Sequence, residues 1–173
     1  MILSDALSLI RDVPDFPKPG VVFKDMTPVF ESPKAFAALH QALKISLQPL
    51  NAQKIVAIES RGFVLAGSLA LELGCGIVLA RKKGKLPRKT LSQSYGLEYG
   101  SDELHIHDDA IRVGERVVIL DDVLATGGTL RAVADICQSL GGEIVGLQVV
   151  LELGFLNARQ SLKAFKVQSL AVI

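Results

Sequence analysis

The sequence predicts an α/β fold, a mostly parallel twisted sheet flanked by helices, and three observations carry that reading. Short continuous runs of Val, Ile and Leu recur along the chain, as in KIVAI, IVLA, RVVIL and IVGLQVVL. Such runs lack polar alternation, which is the pattern of strands covered on both faces. Amphipathic stretches ending in glycine separate several of them, as crossover helices between parallel strands would. The 173 residues, 49% of them hydrophobic, suffice for one domain with its own core.

Taken in order, Ser32 to Leu50 reads as a helix. Ser32 is suited to cap it, Pro33 to its first turn, and Pro49 to its end. Before it, Pro14 to Pro28 is too broken by proline for a helix or a central strand. Lys54 to Ile58 is a buried strand, followed by the turn Glu59-Ser60-Arg61-Gly62 and a helix over Phe63 to Leu73, stopped by Gly74 and Gly76. Ile77 to Ala80 is the next strand. Arg81 to Gly114 then forms a long polar connection, of the kind that serves as a functional loop or lid. Arg116 to Leu120 is a strand, Leu130 to Leu140 a helix ended by Gly141-Gly142, and Ile144 to Leu151 another strand. The tail Ser169 to Ile173 reads as a final strand or as interface packing.

Composition excludes several function classes. A net charge of +1 offers no global attraction to nucleic acid or to a membrane surface. The N-terminus has a helical pattern with acids rather than a basic start and an apolar run, and no apolar stretch is long enough to span a bilayer. These features predict a cytoplasmic protein. Cys75 and Cys137 stand far apart in apolar settings and read as buried free thiols.

The richest segment is VVILDDVLATGGT, Val117 to Thr129. A strand is expected to end at Asp121-Asp122 and the chain to turn into a helix near Thr129. Free N–H groups and the dipole at a helix start attract an anion. Gly127 and Gly128 allow close approach and positive φ, while Ala125, Thr126 and Thr129 complete the turn, the threonines with hydroxyl donors. Carboxylates would repel a phosphate, so Asp121 and Asp122 must face another part of the ligand, such as two ribose hydroxyls or a magnesium ion. The turn Glu59-Ser60-Arg61 is a second anion-receptive strand end, with a guanidinium fork. Arg81, Lys82, Lys83, Lys85, Arg88 and Lys89 form the one dense basic run. A solvated surface loop is the ordinary reading of such a run, and no aromatic interleaving supports nucleic-acid binding.

DDVLATGGT resembles the phosphoribosyl-pyrophosphate (PRPP) motif of type I phosphoribosyltransferases. FPKPGVVFKDMTPVF, ESRGF, RKKGKLP and YGLEYGSDEL follow in the order and at the separations of that family's adenine-using branch. The resemblance implies a single domain over 1–173, with a small N-terminal hood (1–30) and a basic loop with a long flexible catalytic lid (81–114). It implies that Ala125 to Thr129 seat the 5′-phosphate of PRPP and that Asp121 and Asp122 face the ribose. Pyrophosphate falls to Glu59, Ser60, Arg61, Arg81, Lys82 and Lys85, with Arg81 reaching a neighbouring subunit's site and a strained peptide bond often at the centre of the Glu59–Gly62 loop. Val22, Phe23 and Lys24 would line the adenine pocket, although the family often has arginine where Lys24 stands. Glu98 and Tyr99, in the lid, would be catalytic alongside Arg61: Glu98 manages the purine proton and Tyr99 helps exclude water. The implied reaction joins adenine and PRPP to give AMP and pyrophosphate, with Mg2+ carried by PRPP, in a homodimer. Two alternatives stay open: transfer to another purine, and a PRPP-sensing regulator without turnover. His105 and Ala158 depart from the family pattern, which commonly has glutamate and glycine there.

Overall fold

The computed structural model describes residues 1–96 and 101–173. The chain divides into two compact units, Met1–Ile45 and Ser46–Ile173.

The first unit opens with the short helix α1 (Leu3–Leu7), then strands β1 (Arg11–Pro14) and β2 (Val22–Asp25). These two pair antiparallel with each other as a separate two-stranded sheet, from Arg11 opposite Asp25 to Pro14 opposite Val22. The proline-rich segment is therefore no part of a central sheet, as its missing donors require. A short helix α2 (Thr27–Glu31) precedes α3 (Pro33–Leu47), and a 3-10 turn over Gln48–Leu50 carries Pro49. The Ser32 hydroxyl accepts the Ala35 N–H at 3.4 Å, a weak form of the expected cap.

The second unit is built on a seven-stranded sheet. Its elements are β3 (Lys54–Ile58), α4 (Arg61–Leu73), β4 (Gly76–Lys82), β5 (Thr90–Gly96), β6 (Ser101–His107), β7 (Arg116–Leu124), α5 (Gly128–Ser139), β8 (Glu143–Glu152) and β9 (Val167–Val172). The order across the sheet is β5-β6-β4-β3-β7-β8-β9. The strands from β4 to β9 pair in parallel; β5 and β6 join antiparallel at one edge. The α/β reading, the mostly parallel sheet and the final strand all hold. The apolar runs are as buried as their composition implies: Ile55, Val56, Ala57, Val117, Val118, Ile119 and Leu120 are fully enclosed.

Three expectations need correction. The 81–114 connection is no unbroken loop, because β4 runs on to Lys82 and β5 and β6 form a hairpin beyond it. Those strands lie at the sheet edge, and most of β5 faces solvent, so their polar composition hid them. Leu104 and Ile106 of β6 point into the core. Nor does β7 stop at the acidic pair. Its pairing with β3 ends at Leu120 opposite Ala57, but its pairing with β8 continues to Leu124 opposite Glu152. Asp121 and Asp122 therefore sit within β7, where one of its two neighbours has ended. Both helices also start two residues earlier than expected, at Arg61 and Gly128.

Candidate active site

The phosphate turn is set by β7 running into α5. Gly127 caps α5 with φ of +88°, a left-handed conformation that glycine adopts without strain. A side chain there would also collide: a Cβ would lie 2.8 Å from Ser161 Oγ and 3.3 Å from the Ala158 carbonyl oxygen. Gly128 does not share the positive φ expected of it, and its Cβ would make ordinary contacts of 3.5 Å with Gly96 and Tyr95. The turn is thus seated on the C-terminal 3-10 segment Ala158–Gln160. A cavity of about 370 Å³ opens beside it, bordered by Thr126, Gly128, Tyr95 and Arg131. Exposed Thr126 and the unpaired first N–H groups of α5 suit an anion there.

Asp121 and Asp122 are buried, with 8% and 4% exposure. Burial pushes the Asp121 carboxyl well up, the Asp122 carboxylate adds to that, and Arg61 acts against it. Asp122 Oδ2 lies 2.5 Å from Arg61 Nε, without the alignment of a hydrogen bond. A buried acidic pair with one guanidinium still has lone pairs to satisfy, and ribose hydroxyls or a cation's water shell would satisfy them. Arg61 reaches this pair because α4 lies almost on β7. A Cβ on Gly62 would stand 3.0 Å from the Leu120 carbonyl oxygen.

The Glu59–Ser60 peptide is cis. The loop organises the basic strand next to it. The Glu59 carboxylate accepts from Arg81 Nη2 at 3.2 Å and from the Lys82 backbone N–H at 2.9 Å. Burial works against the ionised Glu59, but the Lys82 N–H and Arg81 outweigh it and hold the group below its ordinary range. Glu59 is thus engaged with the Arg81 guanidinium and with the backbone of Lys82. Arg81 also lies over the Phe63 ring at 5.8 Å and donates to the Lys85 carbonyl. Lys83 and Lys89 point outward, with side chains 80% and 85% exposed.

Two residues outside the expected set join this network. Asp102 on β6 pairs with Lys82 Nζ at 2.9 Å, and Tyr95 on β5 donates to Asp102 at 3.3 Å. Both lie in the stretch read as loop, and the tyrosine–aspartate pair within YGLEYGSD was the available signal. Glu98 and Tyr99 lie outside the described residues. Val22, Phe23 and Lys24 belong to the first unit: Val22 is exposed, Phe23 packs edge-on to Phe16 at 5.1 Å, and Lys24 pairs with Asp12 at 2.6 Å.

Residues 29–169 match the phosphoribosyl transferase domain family. The chain is 50% identical to an adenine phosphoribosyltransferase of Kosmotoga olearia, covering 93% of this chain and 95% of that one. It superposes with a TM-score of 0.96 on the crystal structure of the adenine phosphoribosyltransferase from Thermoanaerobacter pseudethanolicus, at 46% identity and 99% coverage of both chains. A structure of the Saccharomyces cerevisiae enzyme complexed with adenine and an imino-altritol bisphosphate matches with a TM-score of 0.91, at 38% identity over 98% of this chain and all of that one.

Proposed function

From the chain's membership of the adenine phosphoribosyltransferase family, we propose that it transfers the 5-phosphoribosyl group from PRPP to adenine. The products are AMP and pyrophosphate. The observation that carries this reading is the meeting of Asp121 and Asp122 with Arg61 beside the glycine turn of Gly127. In the reaction the bond from the ribosyl carbon to pyrophosphate breaks, its electron pair leaving with pyrophosphate. A purine nitrogen then bonds to that carbon and the purine gives up a proton.

Each group has a role in that sequence. Ala125 to Thr129 hold the 5′-phosphate, and Asp121 and Asp122 accept from the ribose hydroxyls. Ser60, Arg61, Arg81, Lys82 and Lys85 offset the charge growing on pyrophosphate, with Glu59 orienting Arg81 and Lys82. Arg81 serves a neighbouring subunit's site in a homodimer. Val22, Phe23 and Lys24 contact adenine, Glu98 takes the purine proton, and Tyr99 helps exclude water. The assignment treats 1–173 as one domain, with 1–30 serving the base and 81–114 serving pyrophosphate and closure.

Magnesium fits this donor set only as an ion that PRPP brings. Among the described residues no three His, Cys, Asp or Glu side chains gather as a metal cluster. Asp121 and Asp122 could hold it through its waters, the remaining oxygens coming from the substrate. When bound it would supply charge neutralisation at the phosphates. Among the described residues, no helix is long and apolar enough to cross a membrane, and we assign the protein to the cytoplasm.

Purified protein should form AMP from adenine and PRPP, and should use hypoxanthine, guanine and xanthine poorly. Strong hypoxanthine turnover without adenine turnover would move the assignment to another purine. PRPP binding with no AMP formed would make the chain a sensor.

A further inference from the structure

The Asp102 carboxylate joins Lys82 of the basic strand to Tyr95 of β5: its Oδ2 lies 2.9 Å from Lys82 Nζ and accepts from the Tyr95 hydroxyl at 3.3 Å. Asp102 is well fixed for a residue on an edge hairpin. Tyr95 lies directly opposite it in the β5–β6 ladder, and its Oδ1 accepts the Glu103 N–H at 2.9 Å. Lys82 is fixed as well, its backbone held by Glu59 at 2.9 Å and by the pairing opposite Leu104. Its ammonium stays accessible, the side chain being 58% exposed.

An exposed lysine held by a placed carboxylate has a definite consequence when a polyphosphate arrives. The carboxylate and the polyphosphate compete for one ammonium. Pyrophosphate, with several charges against one, wins the exchange, but its hold is weakened by the strength of the pair it displaces. The displaced Asp102 keeps its Tyr95 and Glu103 donors, so it has no need to swing away. The hydrogen bond from Lys82 holds the Asp102 carboxyl below its ordinary range, and Asp102 raises the Lys82 ammonium correspondingly, so both stay charged at neutral pH.

We propose that Asp102 is a positioning residue that competes with pyrophosphate for Lys82 and so limits how tightly the product is held. This rests on the reading of Lys82 as a pyrophosphate contact. Asp102 touches neither the base nor the reacting carbon in this scheme; it acts through Lys82 alone.

The test is the inhibition constant of magnesium pyrophosphate in the full-length protein, with thermal unfolding recorded for every variant. Asp102→Asn and Asp102→Ala should each tighten pyrophosphate inhibition about two- to five-fold, the range of a solvent-accessible ion pair. Asp102→Glu should return the constant toward that of the unaltered chain. Lys82→Ala should weaken inhibition, and adding Asp102→Asn to it should change nothing further. A merely structural Asp102 would loosen pyrophosphate when replaced, the opposite sign. Unchanged or weaker inhibition in both Asp102→Asn and Asp102→Ala, with Lys82→Ala still weakening it, overturns the proposal. If Lys82→Ala leaves the constant unchanged, the role of Lys82 fails and takes the proposal with it. Should Asp102→Asn fail to fold, tightening in Asp102→Ala or its absence decides the question.

Discussion

A Cβ on Gly62 would stand 3.0 Å from the carbonyl oxygen of Leu120, which places the first turn of α4 against β7 with no side chain between them. This close approach brings Arg61 to Asp122. The neighbour is the backbone of fully buried Leu120, so it yields little. Gly62→Ala should therefore displace the start of α4, costing about 1–3 kcal/mol. Thermal denaturation measures that cost. The Michaelis constant for PRPP should rise with it, because Arg61 moves relative to the acidic pair.

The two glycines of the phosphate turn should respond differently. Gly127→Ala faces the left-handed φ, worth about 1–2 kcal/mol, in addition to the collision with Ser161. It should weaken PRPP binding at least tenfold in a calorimetric titration. Gly128→Ala meets only ordinary van der Waals neighbours and should bind within about threefold of the unaltered chain. Equal losses in both would show that bare backbone, rather than φ, governs the turn.

Glu98 carries the proton step in the proposed mechanism. Glu98→Gln should lower turnover about a hundredfold or more, the usual contribution of a general base, while leaving PRPP affinity nearly intact. Steady-state rates beside direct PRPP titration separate the two effects. An unaltered rate would remove Glu98 from the chemistry.

Glu152 at the end of β8 predicts a pH dependence. Arg159 donates to it at 2.8 and 2.7 Å and Ser169 at 2.7 Å, and the Arg159 hydrogen bonds hold its pKa below the ordinary value of 4.5 against the effect of burial. A depressed carboxylate pKa contributes stability that is fully present above the unfolded value. That stability is lost as the pH falls below 4.5 and through the folded pKa. Urea denaturation of Glu152→Gln should show a loss of about 1–3 kcal/mol at neutral pH that shrinks in acid. A difference that stays constant with pH would argue for lost packing alone.

Thiol chemistry should distinguish the two cysteines. Burial pushes the Cys137 thiol up to about 12, so it holds almost no thiolate at pH 8. Cys75 is raised less and is half-buried. An aromatic disulfide reagent at pH 8 should label Cys75 slowly in the native chain, and Cys137 only in denaturant. Rapid labelling of both would mean that α5 opens readily.

The central sheet was legible because burial on both faces forces unbroken apolar runs, as in Val117 to Leu120. The glycine turn was legible because few other purposes demand Asp-Asp and Gly-Gly-Thr in succession. The hairpin of β5 and β6 was not, since Ser92, Gln93 and Ser94 face solvent and carry no apolar period. Tyr95 and Asp102 went unnoticed for a related reason: their partnership exists only once the ladder sets them opposite each other. The continuation of β7 past Asp121 and Asp122 was equally hidden, because it depends on pairing with β8 beyond the point where β3 stops. Pairing partners distant in sequence decide such details, and one strand's composition does not contain them.

Strands β1 and β2 form a two-stranded sheet of their own, and Val13 and Val22 on them are substantially exposed. A two-stranded ribbon by itself is only marginally stable. Its amides should exchange with deuterium far sooner than those of β7, without the seven-stranded sheet opening. The segment assigned to adenine would then fray and re-form as an independent cooperative element on its own clock. Base capture would carry an ordering entropy that the phosphate turn, anchored in the sheet, does not incur.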